Sequence, residues 1–583
     1  MKLKVTAFWL VVLAALFIFL QEYSKFHFFF IEQSQLFQFT GEYISEKLAM
    51  PGGFALTLSE FLVQFFIYPY AGAGITAGLL LLTGLGMRGI VRRIAPDTNC
   101  FLLYLIPIVL IMFLHFDFNY LVFGTIAFNM MLCALYFCLC ISTDKWRMIA
   151  EIIITPLLYG LAGSVACLFA LSVVVYEFFN KTPRFYWSLF SVVLALLCGV
   201  CSVYFSMLGE YRFAFLPDAY YHTALEPKTV IYYSWISLPL ILIVAFLLRK
   251  RKKDIGKKLL IAGGIFQVIL LFVLCWWGIP EYGDKKSAKV KELDYYARTE
   301  QWDKIVESSQ GTLTNYLNMC FLNLALSQKG ELADRLFSFD QRGPQGIMVG
   351  WNKTEQISSL LSDIAFAMGN PAMAQEMAFE AYATAIGEGN PRMLKRLVQT
   401  NIIYGEYPVA EKYLNILENT FYYKKWAGEH RKFLYNDAAV EQDPVLGPRR
   451  KCLPKENYLS EINYIEKDMR MIAEANPENK AAIEYLGAFL LLAKNMDGFK
   501  GLVETYYGTE VLPVLPKSFQ EAVITLSEAE PDYWKRFDIS PSVMQRFAEY
   551  KKQVLANRNN KSALPGLLRS AYGDTYWFYF MFK

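Results

Sequence analysis

QEYSKFHFFFIEQSQLFQFTGEYISEKLAMPGGFALTLSEFLVQFFIYPYAGAG (residues 21–74) lies between the first two apolar runs of the chain. It is too long for a hairpin connection and too patterned for a linker. Its centre, FIEQSQLFQF, sets Glu32, Gln33 and Gln35 among large apolar residues. MPGG (50–53) then breaks the chain, and LSEFLVQFF leads back into apolar sequence. An acidic loop of this length between two spans is the feature from which the rest of the chain is read.

The 583 residues are 55% hydrophobic, with a mean hydropathy of +0.27 and the apolar residues concentrated before residue 280. That distribution predicts membrane spans followed by a soluble region. Net charge is only +4, with no basic block beside a nucleic-acid motif, so DNA and RNA are set aside as partners. Eight of the ten cysteines fall in or near apolar runs, where cysteine behaves as a small hydrophobe. Cys320 and Cys452 are the exceptions, a candidate disulfide if that half is extracytoplasmic.

Spans are expected at about 5–21, 58–86, 100–114, 119–141, 185–206, 229–248 and 258–278, each long enough or nearly so for ~30 Å of hydrocarbon. Residues 149–178 contain Pro156, Gly160 and Gly163 and are ambiguous between one kinked span and two short ones. Positive charge decides. Arg88, Arg92, Arg93, Lys145, Arg147, Lys181, Arg184 and the cluster RKRKKDIGKK (249–258) all fall on the cytoplasmic side only if 149–178 is a broken, re-entrant hairpin. The plan is then a polytopic membrane domain over 1–279, about seven full spans plus that hairpin, and a linker at 280–289. The first loop, HFDFN (115–119), 207–228 and everything after residue 279 become extracytoplasmic, at a cytoplasmic (inner) membrane.

From residue 290 to 583 apolar residues recur at helical spacing. Segments 322–339, 362–382 and 399–418 share a helix, a turn at Gly330, Gly369 or Gly405, and a second helix with Ala333, Ala374 or Ala410 near its start. The glycines are 39 and 36 residues apart, and 486–507 reads as a divergent copy. The fold class is therefore all-α, a membrane bundle followed by a tetratricopeptide-like α-solenoid, with an irregular helical domain as the plainer alternative. The terminal SAYGDTYWFYFMFK is expected to cap the solenoid or to meet the membrane interface.

Two resemblances follow. EQSQLF (32–37), PGG (51–53), FLVQFF (61–66), GEYPVAEKYL (405–414) and GDTYWFYF (573–580) resemble an uncharacterised bacterial membrane family, a domain of unknown function with this plan. The layout of the membrane half is similar to C-type glycosyltransferases, which use polyprenyl-phosphate-linked sugars. Their long first extracytoplasmic loop carries an acid, and some have tetratricopeptide repeats after the last span. The resemblance implies Glu32 as catalytic carboxylate, with Gln33 and Gln35 as substrate-binding neighbours. The chain departs from the pattern in having no DxD or DE pair here.

The residues themselves suggest roles, each beside a plainer one. Glu32 among phenylalanines is a candidate general base, or a solvated loop acid or helix cap. His115 and Asp117 are a candidate divalent-metal pair completing a site with Glu32, or simply a wet turn. Arg212, within an expected interfacial helix, is a candidate for a lipid phosphate, or a snorkelling cation. Glu42, Glu46 and Glu60 read as solvated faces. Expected partners are a membrane lipid, with a polyprenyl-phosphate sugar as the candidate, and a protein bound by the helical repeats. The function expected is lipid-linked-sugar transfer. The alternative is a non-catalytic anchored scaffold for envelope assembly, and a transporter comes third. An enzyme calls for a polar cavity around Glu32; a scaffold calls for a packed bundle and a Glu32 facing water.

Overall fold

A computed structural model describes residues 2–96, 100–183, 185–223, 225–249, 257–385, 389–453, 464–560 and 562–583. Arg184 and most of the cluster 249–258, used above to orient the chain, lie outside the described residues. The fold is all-α: among the described residues there are helices and two isolated β-bridges, with no strand. Met1–Ala288 with Asn419–Tyr422 form one compact unit, and Lys289–Glu418 with Tyr423–Lys583 form a second.

The first unit opens with α1 (Lys2–Gln33), 32 residues in one helix. At about 1.5 Å per residue this is near 48 Å, well beyond the ~30 Å of hydrocarbon. The expected span ended at residue 21. No Gly or Pro interrupts 21–33, so the helix runs through the first part of the quoted stretch, and that part is not loop. Next come α2 (Gly41–Leu48), with Thr40 as its N-cap, and α3 (Gly53–Val63), which ends in a 3-10 turn at Gln64–Ile67. α4 begins only at Ala71 and runs to Ile94. The span expected at 58–86 is thus two elements. Pro69 lacks an N–H and Tyr70 adopts φ 69°, and together they end one helix and start another.

α5 (Leu102–Leu114), α6 (Val122–Cys140), α7 (Asp144–Ala162), α8 (Val165–Phe179) and α9 (Leu189–Tyr204) follow, then the short α10 (Tyr211–Phe215), α11 (Val230–Arg249) and α12 (Lys257–Tyr282). Six described helices are long and apolar enough to cross a membrane: Leu3–Gln33, Ala71–Ile94, Val122–Cys140, Phe185–Tyr204, Val230–Arg249 and Ile261–Tyr282. Gly53–Ile67, Leu102–Leu114 and Val165–Phe179 are shorter apolar helices. The chain is a multi-pass membrane protein. The 149–178 region is the packed pair α7 and α8, broken at Gly163. Gly163 has φ 80° and ψ −146°, a region open essentially to glycine alone. α4 packs on α1, α5 and α6, and α6 packs on α7 and α8. Close approach needs small residues: a Cβ on Gly72 would lie 2.5 Å from Phe28 of α1. The stretch 280–289 is helical except at Gly283 and Asp284, because α12 extends to Tyr282 and the next helix, Lys285–Arg298, starts at once.

In the second unit, helices meet across turns that the sequence marks. Gly330, Gly369 and Gly405 have φ 68°, 79° and 77°. At each, the following N–H reaches back to close the helix: Glu331 to Leu326 O, Asn370 to Ala365 O and Glu406 to Asn401 O, all at 2.8 Å. Asn370 and Asn390 each precede a proline and accept from the N–H three residues on, at 3.1 and 3.2 Å, which starts helices Pro371–Ala383 and Pro391–Tyr404. Ala333, Ala374 and Ala410 are buried where their helices pack. The first pair is imperfect, since its second helix is one turn, Leu332–Arg335. The divergent pair turns at Lys494, which takes φ 56° without being glycine.

The interval between helix Tyr407–Glu418 and helix Lys480–Leu492 has a structural job. Arg449 and Arg450 of helix Leu446–Lys451 reach the C-terminal carbonyls of two earlier helices. Arg449 Nε donates to Phe366 O at 2.9 Å, and Arg450 donates to Ile403 O at 3.1 Å and Ile402 O at 3.0 Å. Helix ends leave such carbonyls orphaned, so these two arginines stabilise the ends of helices Glu355–Met368 and Pro391–Tyr404. The terminal aromatics are interior: Tyr576, Trp577, Phe578 and Tyr579 are buried, and Tyr579 donates to Leu492 O at 2.7 Å. Cys320 and Cys452 are both free thiols.

Candidate functional site

Residues 31–37 are buried without interruption, the polar run Glu32, Gln33, Ser34 and Gln35 included. Glu32 and Gln33 are the last two residues of α1, so Glu32 is a helix-end residue and not a loop acid. It is 2% exposed, and the Gln33 side-chain amide donates to its carboxylate. A carboxylate at a helix C-terminus meets the negative end of the dipole, and burial adds to the cost of its charge. Phe37 then stacks edge-on against Tyr43 and Phe61, at 5.6 and 5.5 Å, holding the segment against α2 and α3.

The carboxylate of Glu60 is also inside. Tyr43 Oη donates to it at 2.5 Å and Lys47 Nζ lies 3.4 Å away, while Tyr43 also reaches Leu36 O at 2.9 Å. Read as a solvated face, Glu60 is in fact the hub joining α2 to α3. Its position within the apolar run LSEFLVQFF was the available signal. Glu42 and Glu46 are exposed, as read.

Four segments distant in sequence meet at one end of the bundle. Gly52 N donates to Gly160 O at 2.9 Å. Tyr159 Oη reaches Ala214 O at 3.1 Å, Ser164 Oγ reaches Leu216 O at 2.9 Å, and Tyr220 Oη reaches Ala162 O at 2.8 Å. Leu121 N donates to Tyr220 O and His222 N to Asn119 O, both at 3.0 Å. The first loop, the 115–121 turn, the α7–α8 turn and 209–222 therefore form one hydrogen-bonded layer. Residues 207–228 are not an interfacial helix; they fold as α10 and a 3-10 turn, Pro217–Tyr220, over the α7–α8 turn.

Within that layer the candidate residues have separate partners. His115 Nε2 bonds Thr125 Oγ1 at 2.8 Å and sits edge-on to Tyr120. Asp117 accepts from the Asn119 N–H and side-chain amide, both at 3.1 Å, and lies 3.6 Å from Lys228 Nζ. Arg212 is half-exposed; Glu210 takes its guanidinium at 2.8 Å, Thr223 O accepts at 3.1 Å, and Phe213 lies beneath it. Asp218 accepts from Tyr232 Oη at 2.7 Å. These contacts do not fit a metal centre built on His115 and Asp117. Among the described residues no group of three or more His, Cys, Asp or Glu is placed to hold an ion. The charge of Arg212 is matched by its neighbour Glu210.

A second buried ionic group was missed because Arg147 was read only as a sidedness marker. Arg147 of α7 donates to Glu177 of α8 through Nε and, at 3.0 Å, through Nη2. Nη2 also meets Asp144 at 2.7 Å, and Nη1 reaches Ile141 O at 3.1 Å. Glu151, one turn along α7, is 1% exposed. The pair fastens α7 to α8 away from their Gly163 turn.

The family model of DUF6057, a family of unknown function, matches residues 1–583, and the chain belongs to that family. No curated protein and no solved structure matches it.

Proposed function

We propose that this DUF6057 member is a membrane glycosyltransferase of the C-type plan, drawing on a polyprenyl-phosphate-linked sugar at the extracytoplasmic face. The observation that carries the reading is the position of Glu32. It is a buried carboxylate at the end of the first long helix, followed by two short helices and a return into α4. An ionisable group in that place costs stability and calls for a use. In this reading Glu32 takes the proton of the acceptor hydroxyl as the hydroxyl oxygen bonds to the anomeric carbon, the bond from that carbon to the phosphate oxygen breaks and the polyprenyl phosphate leaves, while Gln33 holds the carboxylate in position. With Glu32 at 2% exposure, the acceptor enters by displacing part of 31–37. No step is assigned to a metal or to Arg212.

The packing around Glu32 meets one of the two marks of a second reading, the anchored scaffold, though Glu32 does not face water as that reading expects; in it the helical unit with its tetratricopeptide-like pairs docks an envelope protein and the membrane unit only anchors it. One substitution separates the two. Glu32→Gln keeps shape and insertion, so the enzyme reading expects loss of sugar transfer with normal expression and melting. Full function of Glu32→Gln in cells would remove the catalytic claim and leave the scaffold.

A further inference from the structure

Helix Pro391–Tyr404 carries Arg392, Lys395 and Arg396 at spacings that place them on neighbouring faces. Arg392 pairs with Asp294 at 2.6 Å and also with Asp363, while Arg396 reaches the same Asp363 at 3.0 Å. One carboxylate therefore serves two guanidiniums. Lys395 has no carboxylate within ion-pair distance among the described residues; its ammonium lies 4.9 Å from the Trp426 ring. Arg449 donates only to carbonyls, Phe366 O and Val445 O. The guanidiniums of Arg396 and Arg449 both lie on the Phe366 ring, at 3.5 and 4.1 Å.

Of these four cations only Arg392 and Arg396 touch a carboxylate, and they share two, Asp294 and Asp363. The wider surroundings do not close the gap. Arg298 and Glu300 both act on Lys395 and offset one another. Asp443, which caps Val445 N and Leu446 N, faces Arg449 and His430, and counting its charge leaves the four cations against three carboxylates, Asp294, Asp363 and Asp443. His430 stacks on Trp426 and bonds its carbonyl. Positive charge remains in excess. Burial and the charge of Arg396 push the Lys395 ammonium down to about 8, and burial with Arg396 pushes the Arg449 guanidinium down to about 10. Arg396, Lys395 and Arg449 are all half-buried.

We propose that this cluster is a phosphate-binding site, with Lys395 and Arg396 as the groups that pair with the anion. A phosphate carries about −1.5 to −2 at neutral pH, more than a carboxylate can supply, and its oxygens can accept from the Lys395 ammonium and from Arg396 Nε, the guanidinium N–H left unpartnered when Nη1 donates to Gln399 and Nη2 to Asp363. The aromatic walls Phe366 and Trp426 exclude water from one side. The site lies within the helical unit and does not depend on the role of Glu32.

The test uses the purified full-length protein in detergent and the rate at which an amine-reactive reagent labels Lys395, read by mass spectrometry. Millimolar inorganic phosphate is expected to slow labelling several-fold relative to chloride at matched ionic strength. Lys425, whose side chain is 89% exposed, should be unaffected. Protection by glycerol phosphate as well would show a site open to esters, and protection by inorganic phosphate alone a site for the free anion; both support the proposal. In equilibrium dialysis, Lys395→Gln should weaken phosphate binding about ten-fold or more, the value of a hydrogen bond to a charged group, while Lys425→Gln does not. Binding should also weaken as pH rises past about 8. Equal labelling in phosphate and chloride, or equal binding by wild type and Lys395→Gln, overturns it.

Discussion

The N–H of Gly52 donates to the carbonyl of Gly160 at 2.9 Å, tying the turn between α2 and α3 to the last turn of α7. The Gly52 side of the contact depends on glycine, and so does the nearby turn at Gly163. Gly52 has φ 81°, and a Cβ there would lie 3.3 Å from the backbone N of Gly163 and 2.9 Å from Phe123. Gly163 is the break between α7 and α8. Gly52→Ala is therefore expected to destabilise the membrane unit by about 1–2 kcal/mol, the cost of a left-handed L-residue. Gly41→Ala, with nothing within 4 Å, should change little. Thermal unfolding of the two variants in the same detergent makes the comparison.

Arg147 and Glu177 give a second expectation. Arg147→Met leaves a carboxylate that is 0% exposed without its cation, and breaking such a buried pair costs about 3–5 kcal/mol. The double variant Arg147→Met with Glu177→Leu should recover much of that loss. A double variant as unstable as the single one would show that the pair is not what fastens α7 to α8.

The helical unit should weaken as pH rises from mild acid through neutrality, because of Glu521. This carboxyl is buried, accepts from the Tyr576 N–H at 2.7 Å, and is pushed up to about 7 by burial and by the charge of Asp574. A group raised above its unfolded value contributes stability that is complete below the unfolded value, near 4.5, and is lost as pH rises through 7. Up to about 3 kcal/mol should disappear between pH 5 and 8. Glu521→Gln should flatten that slope, as measured by denaturant midpoints across the range. Asp340 and Asp574 are held low despite burial by Lys583 and Arg546 respectively, so they act in the opposite direction and weaken the unit only in acid.

Sidedness can be tested at Lys286, which is exposed. The obvious site, Gly283, is unsuitable, since a Cβ there would fall 2.2 Å from Tyr23 Oη. Lys286→Cys in intact cells should react with a membrane-impermeant maleimide added outside. Labelling only after lysis would place the helical unit in the cytoplasm and withdraw the extracytoplasmic enzyme reading.

What the sequence disclosed was local. Gly330, Gly369 and Gly405 announced their turns because a positive φ selects glycine at that position. The break in 149–178 was visible in Gly163 for the same reason. Long-range partners were hidden. Nothing near residue 449 shows that its side chain ends the helix at Phe366, and nothing near Glu60 names Tyr43 and Lys47. The extent of α1 was missed because polarity sets in at Gln21 while helical hydrogen bonding continues to Gln33. Polarity marks where a helix leaves hydrocarbon; the absence of Gly and Pro marks where it ends. Of the candidate site, the shared layer of loops was anticipated by charge alone, whereas the separate pairings of His115, Asp117 and Arg212 depend on side chains too far along the chain to be paired by pattern.

The buried aromatic helix Tyr576–Phe582 bears on the order in which the protein is made. Tyr576 and Tyr579 pack on Phe337, at 5.1 and 5.2 Å, and Lys583 bonds Asp340 across a separation of 243 residues. Until the ribosome has delivered that helix, Phe337 and its neighbours have no cover. The helix pairs between them can form as they emerge, but the unit as a whole closes late, on a contact of high sequence separation. For a protein synthesised at a membrane, the interval before closure is when a chaperone or a protease would find the helical unit open.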